Sequence, residues 1–176
     1  MTLFSQLLAH PGVEEVCDLR GTFGFMAYHG GSLEVATDVI ARRAAEVSGA
    51  SYYGVHQPAD LQWHIPSTKV RPHESPSLAA FLDHVDVVIT VHGYGRQNFF
   101  TSLLLGGRNR ELADHLGGNL RNALPAYRII TDLDEIPSEL RGQHEQNPVN
   151  LPTKAGVQLE LPPRVRGSSP LWWDWE

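Results

Sequence analysis

Cysteine is almost missing from this chain of 176 residues: Cys17 stands alone. No disulfide can form within the chain, so the fold does not rest on one, and a single thiol is compatible with a reducing compartment. A buried structural role suits Cys17 better than that of a nucleophile. Long apolar runs are missing as well. Nothing approaches the roughly 20 residues that span a bilayer. The opening MTLFSQLLAHPGVEEV has neither the basic segment nor the small-residue cleavage site of a secretory signal. A cytoplasmic protein with no membrane partner is therefore expected; export would need another route. Positive charge is in deficit, with 14 Lys and Arg against 20 Asp and Glu and a net charge of −6. Nucleic-acid binders draw much of their affinity from neutralising phosphates and show a basic face. A patch such as Arg42-Arg43 reads instead as the solvated side of a helix, so no nucleic-acid partner is expected. Internal repeats and low-complexity linkers are absent too, and residues 1–176 are expected to form a single domain.

What is present is an alternation of short apolar runs with helical patterns. Residues 24–28 (GFMAY) read as a buried strand ending at His29. Leu33, Ala36, Ile40, Ala44 and Val47 recur at helical spacing, with Gly49 placed to end the helix. Residues 51–55 (SYYGV) read as a second strand and residues 61–65 (LQWHI) as a third. Ser75-Pro76 opens a helix as N-cap and first helical residue. Residues 86–91 (DVVITV) are β-branched and nearly continuous, as in a central strand covered on both faces. Strands over residues 99–105, 127–130 and 156–161 and a helix over residues 110–123 complete the pattern. Strands alternating with helices predict an α/β domain with a mixed, largely parallel sheet flanked by helices. The longest irregular stretch, residues 134–154, is rich in Pro, Asn and Gln, and loops of that length are often functional.

Two histidines end strands and are followed by glycine: His29 before Gly30-Gly31 and His92 before Gly93. Side chains at the carboxyl ends of sheet strands project into the crevice where α/β proteins bind ligands. Glu34, five positions after His29, is expected at the start of the next helix, where a turn brings it beside the imidazole. Two imidazoles and one carboxylate leave a fourth tetrahedral position open, the mark of a catalytic zinc site. The same residues also suit plainer roles, since a strand-end His often only hydrogen-bonds and a first-turn Glu is favoured by the helix dipole. On strict alternation Gln158 and Glu160 face away from Val157, Leu159 and Leu161, toward either solvent or an active site. The remaining histidines, at positions 10, 56, 73, 84, 115 and 144, read as surface or loop residues.

In this order, AYHGGSLEVAT (residues 27–37), HIPST (64–68), VITVHGYG (88–95), NPVN (147–150) and GVQLELPPRVR (156–166) resemble the poly-γ-glutamate hydrolase family. That family includes phage enzymes and proteins labelled phage-related. The resemblance runs from about Cys17 to Arg166. It implies a fold similar to zinc carboxypeptidases and aspartoacylase-type deacylases, one zinc ion per chain, and hydrolysis of γ-linked glutamyl amides. Carried over, His29 and Glu34 of HGGxxE and His92 of VHG are the zinc ligands, and Glu160 of GVQLE is the general base. An anionic, polyglutamate-like peptide needs partners on a chain of this charge. Arg164, Arg166 and Arg96 are the expected cations. His64, Ser67 and Thr68 are expected to line the pocket, and Asn147 and Asn150 to bond substrate amides. Two other readings stay open: a zinc amidase for another amide such as a cell-wall peptide, and a non-catalytic binding module suggested by the terminal LWWDWE.

Overall fold

The computed structural model describes residues 3–167. The Trp-rich terminus lies outside them. Four helices, α1 (Leu3–Leu8), α2 (Thr37–Ser48), α3 (Pro76–His84) and α4 (Arg110–Ala123), pack on a seven-stranded sheet. Its strands are β1 (Glu14–Asp18), β2 (Gly21–Gly31), β3 (Ala50–Gln57), β4 (Val87–Gly93), β5 (Ser102–Leu105), β6 (Arg128–Ile130) and β7 (Gly156–Leu161), in the order β1-β3-β2-β4-β7-β5-β6. The neighbours β3, β2, β4 and β7 are mutually parallel. β1 joins β3 and β5 joins β7 in the antiparallel sense, and β6 runs parallel to β5. This is the mixed, largely parallel α/β sheet that the alternation predicts.

Each face of the sheet is covered by its own apolar layer. Phe4, Leu7, Leu78 and Phe81 pack α1 and α3 over Met26, Tyr28 and Val88. Ala41, Ala45 and Ala113 bring α2 and α4 onto Ile89, Val91, Val157, Leu159 and Leu161. Small residues on α2 and α4 let those helices approach closely. Ser75 caps α3 by accepting from the Leu78 N–H at 2.9 Å, with Pro76 behind it. Gly49 ends α2 in the left-handed conformation. None of the described helices is long and apolar enough to cross a membrane.

Three expectations are corrected. Residues 61–65 form no strand, because the Gln57 carboxamide takes both main-chain groups of Trp63, at 2.8 and 2.9 Å, in place of a ladder. The helix after His29 starts only at Thr37. Ala36 has φ 70°, which no α-helix accommodates. Glu34 therefore stands in a turn, its N–H donating to the His29 carbonyl at 3.0 Å. Finally, the expected strand over residues 99–105 shortens to β5, since residues 99–101 turn tightly, with the Ser102 N–H on the Phe99 carbonyl. The sequence also hides β1, a short and charged edge strand.

Gly31 makes the turn after β2 possible. Its φ is +72°, and a side chain there would collide with the Gln57 backbone. Gly31→Ala should lower unfolding stability by about 2 kcal/mol or more. Urea unfolding checks this, and a loss under about 0.5 kcal/mol would count against the turn being so constrained.

Candidate metal and catalytic site

The site forms where three adjacent parallel strands end. His29 lies near the end of β2, His92 near the end of β4 and Glu160 near the end of β7, with His92 and Glu160 directly paired in register. This is the crevice at the carboxyl ends of strands where open α/β sheets bind ligands. The register between β2 and β3 slips between Ala27 and Gly30. Such an irregularity re-aims a side chain, and here both Tyr28 and His29 reach the site. Asp38 in the first turn of α2 holds the His56 imidazole of β3 at 3.2 Å, which anchors the helix just after the Glu34 turn.

Glu34 is the hub. One carboxylate oxygen lies 2.8 Å from His29 Nδ1; the other lies 3.1 Å from His92 Nδ1 and accepts from the Gly93 N–H at 2.8 Å. The outward ring nitrogens are also engaged. His29 Nε2 is 2.8 Å from the Ile65 carbonyl, an acceptor that requires an N–H donor there. His92 Nε2 is 3.0 Å from the Tyr28 hydroxyl, which itself donates to Asn147 Oδ1. Neutral imidazoles bonded in this way turn bare Nδ1 lone pairs toward a carboxylate. Lone pairs converging at hydrogen-bonding distance repel unless protons or a cation lie among them. This donor set of two imidazole nitrogens and a carboxylate suits zinc, and the outward partners are those that orient ligating histidines. The side chains whose ligand atoms all lie within 4.8 Å of one another are His29, Glu34 and His64, so His64 stands where the sequence placed His92 in the ligand set, while His92 meets the group through Glu34. The group is thus a candidate metal site.

Burial and neighbouring charge set the protonation states. Burial opposes ionisation of Glu34, but the His92 and His29 imidazoles outweigh it and hold the carboxyl well below the usual range. Burial also disfavours the charged form of His92, yet the Glu34 carboxylate beside it prevails and raises its pKa. Glu160 goes the other way. Its burial, only partly offset by His92, pushes it up to about 7. His64 is lowered by burial and by the neighbouring His29. Tyr28 is pushed far up by burial and stays a neutral hydroxyl.

A hydrogen-bond chain links the two halves. His92 Nε2 meets the Tyr28 hydroxyl, and Tyr28 donates to Asn147 Oδ1. The Asn147 amide donates to Gln158 Oε1 at 2.8 Å, and the Gln158 amide to Glu160 Oε1 at 2.9 Å. One oxygen of the buried Glu160 is thereby fixed.

These residues line a cavity of about 580 Å³. His29, Glu34, His92, Glu160, His64, Ser67, Thr68 and Asn147 all stand on its wall. Both ends of the Asn147 carboxamide are, however, engaged inside the protein. Four of the residues named from sequence are not part of the wall. Asn150 bonds the Arg108 N–H and the Gly142 and His144 carbonyls, holding the long loop. Arg164 lies over the Tyr127 ring, which packs on the opposite face of the sheet. Arg96 is paired with Glu139, which lines the rim. Arg166 points to backbone carbonyls. Sequence reasoning missed Tyr28 and Gln158, although Gln158 shares the alternating face of Glu160. It also missed Gln143 and His144, which the long irregular loop folds over the cleft.

The family model for poly-gamma-glutamate hydrolase matches residues 8–169. Two solved structures share the fold. Bacteriophage poly-gamma-glutamate hydrolase superposes with a TM-score of 0.74 at 21% identity, over 92% of this chain and 76% of that one. The zinc-free apo form of YNDL gives 0.75 at 22% identity, over 89% and 74%. At such identities the likeness is one of fold. Among curated proteins nothing matches.

Because burial raises Glu160, its neutral form contributes stability that is complete below about 4.5 and is lost as pH rises through about 7. In chelator-treated protein Glu160→Gln should therefore be more stable than the parent at pH 8, by about 2–4 kcal/mol, and no more stable at pH 4. Urea unfolding at both pH values reads the difference; equal gains at the two would sink the assignment.

Proposed function

The chain belongs to the poly-gamma-glutamate hydrolase family, and from that premise we propose that it is a zinc-dependent amidohydrolase of γ-glutamyl amide bonds. His29, Glu34 and His92 hold one zinc ion per chain, and Glu160 is the general base. The observation that carries this reading is the pair of Nδ1 atoms turned onto one carboxylate, 2.8 and 3.1 Å away, beside a buried Glu with an elevated pKa.

Zinc, when bound, supplies Lewis-acid chemistry, acidifying water and polarising the scissile carbonyl. The chain does the rest. The Ile65 carbonyl and Tyr28 keep the protons of His29 and His92 on Nε2, leaving Nδ1 free to ligate. Gly93 N–H fixes the Glu34 carboxylate. Glu160 takes the proton of the attacking water and delivers it to the departing nitrogen. Gln158 occupies Oε1 of that carboxylate, so the proton is carried on Oε2. A pKa near 7 suits a group that must both accept and return a proton at neutral pH.

The substrate is an anionic, polyglutamate-like peptide. His64, Ser67 and Thr68 offer it polar contacts on one wall. Arg96, held by Glu139 beside the rim, is the cation a substrate carboxylate engages by exchange. Exposed ion pairs are worth about 1 kcal/mol or less, so the exchange costs little.

Purified protein should contain about one zinc per chain, cleave poly-γ-glutamate, lose activity on chelation and regain it with zinc. Protein that neither binds zinc nor cleaves the polymer would return the chain to the non-catalytic reading. Glu160→Gln should lower kcat by about 10²–10⁴-fold while zinc content is unchanged. Undiminished turnover would remove Glu160 from the role of base.

A further inference from the structure

Arg166 stands behind the cleft, yet it touches all three segments that build it. Its Nη1 donates to the carbonyl of Val35 at 3.1 Å, its Nη2 to that of Tyr94 at 3.3 Å and its Nε to that of Leu161 at 3.2 Å. Val35 directly follows Glu34, Leu161 directly follows Glu160, and Tyr94 lies two residues past His92. A guanidinium is planar and its donors diverge at fixed angles. Three carbonyls bonded to one guanidinium are therefore held at set positions relative to one another. Room for this comes from Gly93, where a Cβ would lie 2.6 Å from Arg166 Cζ. The chain reaches the spot through a turn after Pro162-Pro163, closed by the Arg166 N–H on the Pro163 carbonyl.

We propose that Arg166 is a positioning residue that joins the ends of β4 and β7 to the Glu34 turn and thereby sets how far the metal-holding groups stand from the base. This rests on the zinc hydrolase reading above and gives the arginine a different task from the binding of substrate carboxylates. Its donors face backbone, not the cleft. Its charge acts at the same place, since Glu34 and Glu160 are the anions that oppose the effect of burial on it. Lysine in its place would keep the charge but lose the three-way fork.

The test uses the full chain with Arg166→Ala, Arg166→Lys and Gly93→Ala. Each variant is measured for zinc affinity by chelator competition and for kcat and KM on poly-γ-glutamate. Residues that orient metal ligands typically cost about 10–100-fold in metal affinity or activity when removed. Arg166→Ala is expected to lose zinc affinity and kcat on that scale with little change in KM, and to regain part of both in millimolar guanidinium. Arg166→Lys should fall in between. Gly93→Ala displaces the guanidinium and should resemble Arg166→Ala, which keeps the test open if the latter does not fold. Unchanged zinc affinity in Arg166→Lys and Gly93→Ala, or a rise in KM with kcat and zinc affinity intact, overturns the proposal. Should the parent bind zinc but leave poly-γ-glutamate uncleaved, the substrate reading falls, and the zinc-affinity comparison still decides the role of Arg166.

Discussion

One carboxylate organises the site. Glu34 reaches the Nδ1 atoms of His29 and His92 with its two oxygens and takes the Gly93 N–H as well. Without a cation this cluster must recruit protons, which is why burial fails to neutralise Glu34 and why His92 is pulled toward its charged form. A metal ion bound here would compete with protons for the same lone pairs. The far nitrogens have partners of their own, the Ile65 carbonyl for His29 and the Tyr28 hydroxyl for His92, as is common for histidines that ligate a metal.

The sheet supplies the geometry that Glu34 exploits. β2, β4 and β7 are adjacent and parallel, so their carboxyl ends open on one side. His92 and Glu160 come from paired positions on neighbouring strands. Their environments are nonetheless opposite. His92 sits against an anion, whereas Glu160 is buried in the cleft wall, where an amide fixes one oxygen. Two carboxylates a short distance apart are thereby driven to different protonation states, an arrangement suited to acid–base chemistry.

Much of this was legible in the sequence. A β-branched run followed by His-Gly marks His92 at a strand end, and HGG does the same for His29. The alternation of residues 157–161 correctly separated Glu160 from the core face. It left open whether that face met solvent, because the answer depends on residues 134–154 folding over it, and an irregular loop has no periodicity to read. The helical spacing of Leu33, Ala36 and Ile40 points Glu34 to a helix; the left-handed Ala36 that breaks the pattern leaves no mark in residue type. Arg164 and Arg166 look equivalent on paper. Only the turn after Pro163 sends one to Tyr127 and the other behind Gly93.

The strand order also bears on how the molecule assembles. β7 is the last strand among the described residues, yet it lies between β4 and β5. Until it is inserted, the layer built on β2, β3 and β4 has one open edge, and the β5–β6 pair has no sheet to join. Such long-range pairing is slow to form and leaves strand edges bare in the meantime. The nascent chain therefore carries both histidines and Glu34 well before it can close the wall opposite them. The cleft wall is complete only once this short strand joins the sheet, bringing Glu160 and Arg166 to it.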